Sequence, residues 1–150
     1  ADYVYEKHGL LPVFFSVENK QDPQAAELAA KSCHVPHVFL TGTEDASLTI
    51  GVLSRMEAVL SMRLHTLIFS ASQGTPLVGV VYDPKVSAFL RYIGEDRFID
   101  LKKAELATLC SLADGALAEA HDRDSRVATV ARLRDMEQGN VKFVKELLTQ

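Results

Sequence analysis

The stretch SMRLHTLIFSASQGTPLVGVVYDPKVSAFL, residues 61–90, decides the fold class of this 150-residue chain. Its first part, 63–74, has the apolar spacing of a helix and ends on a glycine, which commonly closes a helix. The run 76–82 is almost wholly apolar and rich in valine, which predicts a buried strand. Asp83 and Pro84 then predict the start of a second helix, because Asp caps helices and Pro fits their first position.

The same alternation of strands and helices extends on both sides of this stretch. Short apolar runs predict four more strands, at 10–17, 37–42, 58–62 and 98–101. Helices are predicted to begin at Asp22-Pro23 and at Asp45 or Ser47. Nearly apolar strands that alternate with helices are typical of a parallel sheet covered on both faces. The sequence therefore predicts an α/β fold with a doubly wound parallel sheet, whose ligands bind at the carboxyl ends of the strands.

The two ends of the chain are predicted to be helical. Residues 1–9 are typical of the end of a helix closed by glycine, so we expect the chain to be a fragment of a longer protein. The last third, from residue 104, has apolar residues at helical spacing and predicts a helical C-terminal tail. Within it, 120–126 is predicted to be a solvated connector, and Gly139-Asn140 a break or kink in the final helix.

Composition limits the classes of function. The chain is 47% hydrophobic and 24% charged, which fits one globular domain over residues 1–150. Its net charge of -4 argues against a broad nucleic-acid-binding surface. The two cysteines, Cys33 and Cys110, have no metal-ligand spacing, and His34 with His37 alone makes a poor metal site, so we expect no metal. The chain has no signal peptide and no apolar run long enough to span a bilayer, and its few cysteines favour the reducing cytoplasm.

A first candidate site is the turn that follows the third predicted strand. Arg63 and His65 lie in the first turn of the next helix, where unpaired backbone N–H groups and the helix dipole attract anions. Cationic side chains oppose that dipole unless an anion is bound there. In the alternative interpretation, His65 is a half-buried histidine with its own hydrogen bonds and Arg63 is a surface charge.

A second candidate site is the equivalent turn after the fourth strand. Lys85 lies there, next to Asp83, which is better explained as a helix cap than as a base. Tyr82 either lines the cleft or caps the core. If the third and fourth strands are neighbours, the two turns are about 5 Å apart, so His65 and Lys85 can reach one small anion. The chain has neither G-x-G-x-x-G nor a P-loop pattern, so nothing supports a nicotinamide or ATP site.

Two polar residues, Glu18 and Asn19, follow the first predicted strand. They are weaker candidates for binding an acceptor at a strand end, and the alternative is that they form a polar loop.

Residues 61–90 resemble the signature of bacterial polysaccharide pyruvyltransferases. The R-L-H opening, the apolar helix, the G-x-P link, the V-G-V-x-Y-D-P-K-V segment and their spacing all match. Residues 10–29 fit the family more loosely, and the helical tail agrees only in character. The resemblance implies a Rossmann-like, GT-B-like C-terminal half, which in the whole enzyme faces an N-terminal domain across a cleft.

This resemblance also implies an activity. Such enzymes move the enolpyruvyl unit of phosphoenolpyruvate to a cell-surface polysaccharide sugar, forming a pyruvate ketal without a cofactor. It implies His65 as the general acid, with Lys85 and Arg63 binding the donor. The implied partners are phosphoenolpyruvate, a sugar acceptor and the N-terminal domain, without which this chain is expected to be inactive. The expected location is the cytoplasm. Two points are left open: whether the protein forms a homo-oligomer, and whether it lies at the inner face of the membrane.

Two other functions compete with this one. The first is the sugar-nucleotide-binding half of a GT-B glycosyltransferase or an epimerase, because such domains also hold phosphates at helix N-termini. A binding assay separates this function from the pyruvyltransferase function, by comparing phosphoenolpyruvate with a uridine or guanosine sugar nucleotide as the ligand. The second is a noncatalytic interaction domain. An exposed apolar face on the C-terminal helices, found together with a closed strand edge, would favour this function.

Overall fold

The computed structural model describes residues 1–17, 22–40 and 45–149, without the side chains of residues 123 and 124. Strands and helices alternate as the sequence predicts, in this order: α1 (Asp2–His8), β1 (Val13–Phe15), α2 (Asp22–Ala30), β2 (Val38–Leu40), α3 (Ala46–Leu53), β3 (Val59–Ser61), α4 (Leu64–Ser72), β4 (Leu77–Val81), α5 (Pro84–Ile93), β5 (Phe98–Asp100), a 3₁₀ turn (Leu101–Lys103), α6 (Leu106–Ala120) and α7 (Arg123–Leu148). Each strand lies inside one of the five predicted runs, which confirms all five with shorter bounds.

All strand pairs in the described structure are parallel, so the predicted α/β class is confirmed. The strands form two groups rather than one sheet: β1 pairs with β2, and β3, β4 and β5 form a sheet in that order. Each group belongs to one compact unit, the first Ala1–Val52 and the second Leu53–Gln150. The assignment of residues 1–150 to one domain stays a prediction.

The core of the second unit surrounds its central strand, β4. Leu77 faces α4 and α5 and packs in one cluster with Leu67 and Leu90, both fully buried. Because side chains alternate across a strand, Val78 and Val80 point to the opposite face. They are also buried, and α6 contacts β4. Helices therefore cover both faces of this strand, as the doubly wound class requires.

An exposed contact in the first unit joins Asp2, at the start of α1, to His34. The carboxylate of Asp2 accepts a hydrogen bond from the backbone N–H of His34 at 3.1 Å and lies 2.9 Å from Nδ1 of the same residue. The hydrogen bond to the His34 side chain, followed by one from the Cys33 side chain, lowers the pKa of Asp2 from 3.8 to about 2. The predicted helix end is confirmed, since Gly9 follows α1 with a φ of 66° in the left-handed region.

The shifted pKa of Asp2 gives a testable dependence on pH. Because the folded pKa lies below the ordinary value, the contact stabilises the first unit above about pH 4 and is lost as the pH falls towards 2. We expect Asp2→Asn to remove this dependence, so that variant and wild type become equally stable near pH 2. Urea unfolding of both proteins between pH 2 and 5 measures the difference in their free energy of unfolding. A difference that stays constant over that range would show that the carboxylate of Asp2 does not cause the dependence on pH.

The C-terminal tail is helical, as predicted, but two details of the prediction are wrong. Helix α7 runs through Gly139 and Asn140 without a break, because one glycine opposes a helix by only about 1 kcal/mol. The solvated connector is also shorter than predicted: α7 begins directly after Asp122, whose carboxylate accepts a hydrogen bond from the backbone N–H of Ser125 at 3.0 Å. In the described parts of the chain, no helix is both long and apolar enough to cross a bilayer.

Candidate functional site

The carboxyl edge of the β3–β4–β5 sheet has a step in it. Ser61, the last residue of β3, pairs with Gly79, so β4 continues two residues further, to Val81. Val81 in turn pairs with Asp100, the last residue of β5. Two residues of strand correspond to about 7 Å. The turn after β4 therefore projects beyond the turn after β3, and it starts at the same level as the turn after β5.

The turn after β3 places two of the predicted residues at the N-terminus of α4. Arg63 is the N-cap residue, one position before the first helical turn in which the sequence placed it, and its backbone N–H donates to Oγ of Ser61 at 3.0 Å. His65 is the second residue of α4. Within the described residues, no side chain caps this helix. The N–H groups of its first turn are therefore suited to an anion.

The imidazole of His65 is exposed. Its ring lies 6.4 Å from the ring of Phe69, tilted by 42°. It forms no hydrogen bond or ion pair with another residue that the structure describes. This environment does not support the alternative of a half-buried, hydrogen-bonded histidine, and it leaves both ring nitrogens available to a ligand.

Lys85 occupies the equivalent position on the next helix, as its second residue. Asp83 caps α5 by accepting a hydrogen bond from the backbone N–H of Lys85 at 2.9 Å, as a helix cap is expected to do. The exposed ammonium of Lys85 lies 3.9 Å from Oδ2 of Asp83. Tyr82 is 46% exposed and so lies at the sheet edge rather than capping the core.

The turn after β5 adds a lysine that the sequence analysis missed. Asp100 accepts a hydrogen bond from the backbone N–H of Lys102 at 2.8 Å, as Asp83 does from Lys85. The signal was present in the sequence, since Asp-Pro-Lys after β4 and Asp-Leu-Lys, which begins with the last residue of β5, share one pattern. Two successive turns of this edge therefore begin with a carboxylate cap and carry a lysine two residues later.

The structure thus places Arg63 and His65 on one turn and Lys85 on the neighbouring turn of the same edge. The convergence of His65 and Lys85 on one anion stays a prediction. Glu18 and Asn19 lie outside the described residues. No group of three or more His, Cys, Asp or Glu within the described ranges is arranged to hold a metal ion.

A pocket of about 270 Å³ lies at the opposite, amino edge of the same sheet. Arg97 lines it and forms ion pairs with Glu95, at 2.6 Å, and with Glu119 of α6. Burial acts to lower the pKa of Arg97, but the hydrogen bonds and charges of Glu95, and then those of Glu119, outweigh it and raise the pKa. Because its charges are already paired, this cluster is suited to holding α6 in place.

Removal of Arg97 should therefore reduce stability. We expect Arg97→Ala to lower the free energy of unfolding by about 2 kcal/mol, because the carboxylates of Glu95 and Glu119 lose their charged donor. Urea unfolding at pH 7 measures the effect, with Arg55→Ala as the control because Arg55 is exposed. An equal change in both variants would show that the ion pairs contribute nothing.

Comparison with known proteins shows which family the chain is similar to. The model of the polysaccharide pyruvyl transferase family matches residues 1–84. The match includes Arg63, His65 and Tyr82 and ends one residue before Lys85. It also includes the whole first unit, of which only residues 10–29 had been found to resemble the family, and those loosely. Searches of the curated proteins and of the solved structures found no match. Because the match extends over more than half of the 150 residues, the chain belongs to the polysaccharide pyruvyl transferase family.

Proposed function

We propose that this protein transfers the enolpyruvyl unit of phosphoenolpyruvate to a sugar, forming a pyruvate ketal at the carboxyl edge of the β3–β4–β5 sheet. One observation supports this most directly: the exposed His65 stands at a helix N-terminus without a side-chain cap, inside the segment that matches the family. An anionic donor and a proton donor can therefore meet at one turn.

The donor is proposed to bind by its charges. Its phosphate accepts hydrogen bonds from the N–H groups at the start of α4 and is attracted by the helix dipole. Lys85 and Arg63 add positive charge from the two neighbouring turns. Lysine acts as a compact charge and arginine as a planar fork of donors, and both stabilise the phosphate as it leaves.

The proposed chemistry begins with a proton transfer. His65 donates a proton to the methylene carbon, which becomes a methyl group, and the central carbon becomes electrophilic. One sugar hydroxyl adds to that carbon, and its proton restores the imidazolium. A second hydroxyl then displaces the phosphate, which leaves with the electrons of the broken C–O bond and with the second hydroxyl proton. No redox step and no further cofactor enters this sequence.

The rest of the proposed site lies outside this sheet edge. We assign the remaining donor contacts and much of the acceptor site to an N-terminal domain that faces this one, and place the reaction in the cytoplasm. The sugar acceptor is a saccharide with two hydroxyls close enough to share one carbon. Family membership supports a pyruvyltransferase role in general. The facing domain and the acceptor are proposed from the resemblance of residues 61–90 to the family, and the cytoplasmic location from the small number of cysteines.

A docking function is the second candidate, because one observation favours it. Every described residue from Glu137 to Thr149 is exposed, and five of them are large and apolar: Val141, Phe143, Val144, Leu147 and Leu148. Such an interaction domain was expected to have a closed strand edge as well. His65 and Lys85 are both exposed at that edge, which favours the catalytic proposal.

The test compares donors in the full-length protein. Calorimetry should show binding of phosphoenolpyruvate and none of a uridine or guanosine sugar nucleotide, and phosphate should be released when nitrophenyl or lipid-linked sugars are added. Binding of a sugar nucleotide without binding of phosphoenolpyruvate would overturn the proposal in favour of a glycosyltransferase half.

A further inference from the structure

The first unit contains an aromatic cluster that the proposed reaction does not use. It consists of Phe14 on β1, Phe39 on β2 and His37 just before β2, and each ring centroid lies 5.5 Å from the other two. Phe14 and Phe39 are register partners and stack with their planes 26° apart, while His37 meets both edge-on. Ring packing of this kind holds the exposed ring in one orientation.

One ring of the aromatic cluster is open to solvent beside a groove. Phe39 is 39% exposed, whereas Phe14 and His37 are half-buried behind and beside it. The groove has a volume of about 300 Å³ and is lined by Phe39, His37, the C-terminal end of α2 with Glu27, and Lys31 directly after α2. The groove is shallow and open to solvent, so it can take a single ring laid against Phe39 rather than a ligand enclosed on all sides.

The polar groups around the groove match a ligand that both donates and accepts hydrogen bonds. Glu27 and Lys31 are four residues apart and line the same groove. Neither side chain bonds to another residue that the structure describes. Nδ1 of His37 lies 2.9 Å from the carbonyl oxygen of Val35, and because a carbonyl only accepts, Nδ1 is the donor in this hydrogen bond.

From this juxtaposition we infer that the groove beside Phe39 binds a neutral pyranose ring. The C–H face of a sugar is apolar and slightly positive, so it packs on the negative face of one aromatic ring. Its hydroxyls donate to Glu27 and accept from Lys31, whose opposite charges cancel and so favour an uncharged ligand. A nucleobase also stacks on a single aromatic ring, so uridine is the competing probe in the test.

This inference goes beyond the proposed reaction. Its choice of a sugar draws on the family's link to polysaccharides, but not on His65 or on the donor. The groove lies at the start of β2 and the end of α2, whereas the proposed reaction takes place at strand ends of the other unit. The groove is therefore built from other residues than those of the proposed reaction.

The test is an amide NMR titration of the 150-residue chain without phosphoenolpyruvate. The probes are maltotetraose and cellotetraose as neutral sugars, trigalacturonate as a charged sugar, and uridine. We expect the neutral sugars to shift the amides of Lys31, His37 and Phe39 most. Shifts caused only by uridine, shifts located elsewhere, or no shifts at millimolar sugar would each overturn the inference.

Variants then test the contact itself. Phe39→Ala should raise the Kd of the neutral sugar about fivefold, and Phe39→Tyr, which keeps the ring face, should change it little. Phe143→Ala is the matched control, because Phe143 is an exposed aromatic residue on α7. Should Phe39→Ala fail to fold, Glu27→Ala at the exposed rim replaces it and should also weaken binding. Equal affinity in the folded variants and the control would contradict the assignment, whatever the result for phosphoenolpyruvate.

Discussion

His65→Ala in the full-length enzyme should lower the rate of phosphoenolpyruvate-dependent phosphate release by at least about 100-fold. A positioned general acid contributes roughly that factor or more, and His65 is the one described residue on the first turn of α4 whose side chain is of a type that serves as a general acid. The loss should fall mainly on kcat, because the imidazole acts in the chemical step. Steady-state phosphate release, with the donor and the acceptor varied in turn, measures it.

The fold should survive this change, because the imidazole of His65 is exposed and bonds to no described residue. We expect His65→Ala to change the free energy of unfolding by less than about 0.5 kcal/mol. His121→Ala is the matched control, since it removes an exposed histidine from the turn between α6 and α7. A fully active His65→Ala enzyme would remove His65 from the mechanism.

Leu90→Ala should destabilise the second unit by about 3 kcal/mol, because Leu90 is fully buried in its core and leaves a cavity. Gly79→Ala should also destabilise, by about 1 kcal/mol, since a Cβ atom at residue 79 would overlap Cδ1 of Leu90. In the double variant, the new methyl group enters the space that the leucine left. The double variant should therefore lose less unfolding free energy than the two single variants lose together.

Urea unfolding of the wild type, both single variants and the double variant completes this cycle. Leu106→Ala is the control, because Leu106 is 76% exposed at the start of α6 and its truncation leaves no cavity. Strictly additive losses would show that Gly79 and Leu90 do not share a contact across the face of β4.

The parts of the fold that the sequence predicted are those that depend on local patterns. The run 76–82 predicted β4 because nearly every residue in it is apolar, and both faces of that strand are indeed covered. Asp83 and Pro84 predicted the start of α5 because the carboxylate caps the helix two residues on. His65 was placed on the correct turn for the same reason: its position follows from the end of one strand and the start of one helix.

Features that depend on distant residues could not be predicted in this way. The division of the strands into two groups and the two-residue step between β3 and β4 are set by pairing register, which no local pattern encodes. The aromatic cluster joins Phe14 to Phe39, which are brought together only by the pairing of β1 with β2. Helix α7 shows the converse, since a local glycine signal was overridden by the helix on both sides of it.

The central claim is that the donor phosphate binds at the N-terminus of α4. An amide NMR titration of the full-length protein with phosphoenolpyruvate tests it most directly. The largest shifts are expected at Leu64, His65 and Thr66, with smaller ones at Lys85. Shifts confined to the amino-edge pocket around Gly74 and Gly94, or shifts that a sugar nucleotide produces and phosphoenolpyruvate does not, would contradict it.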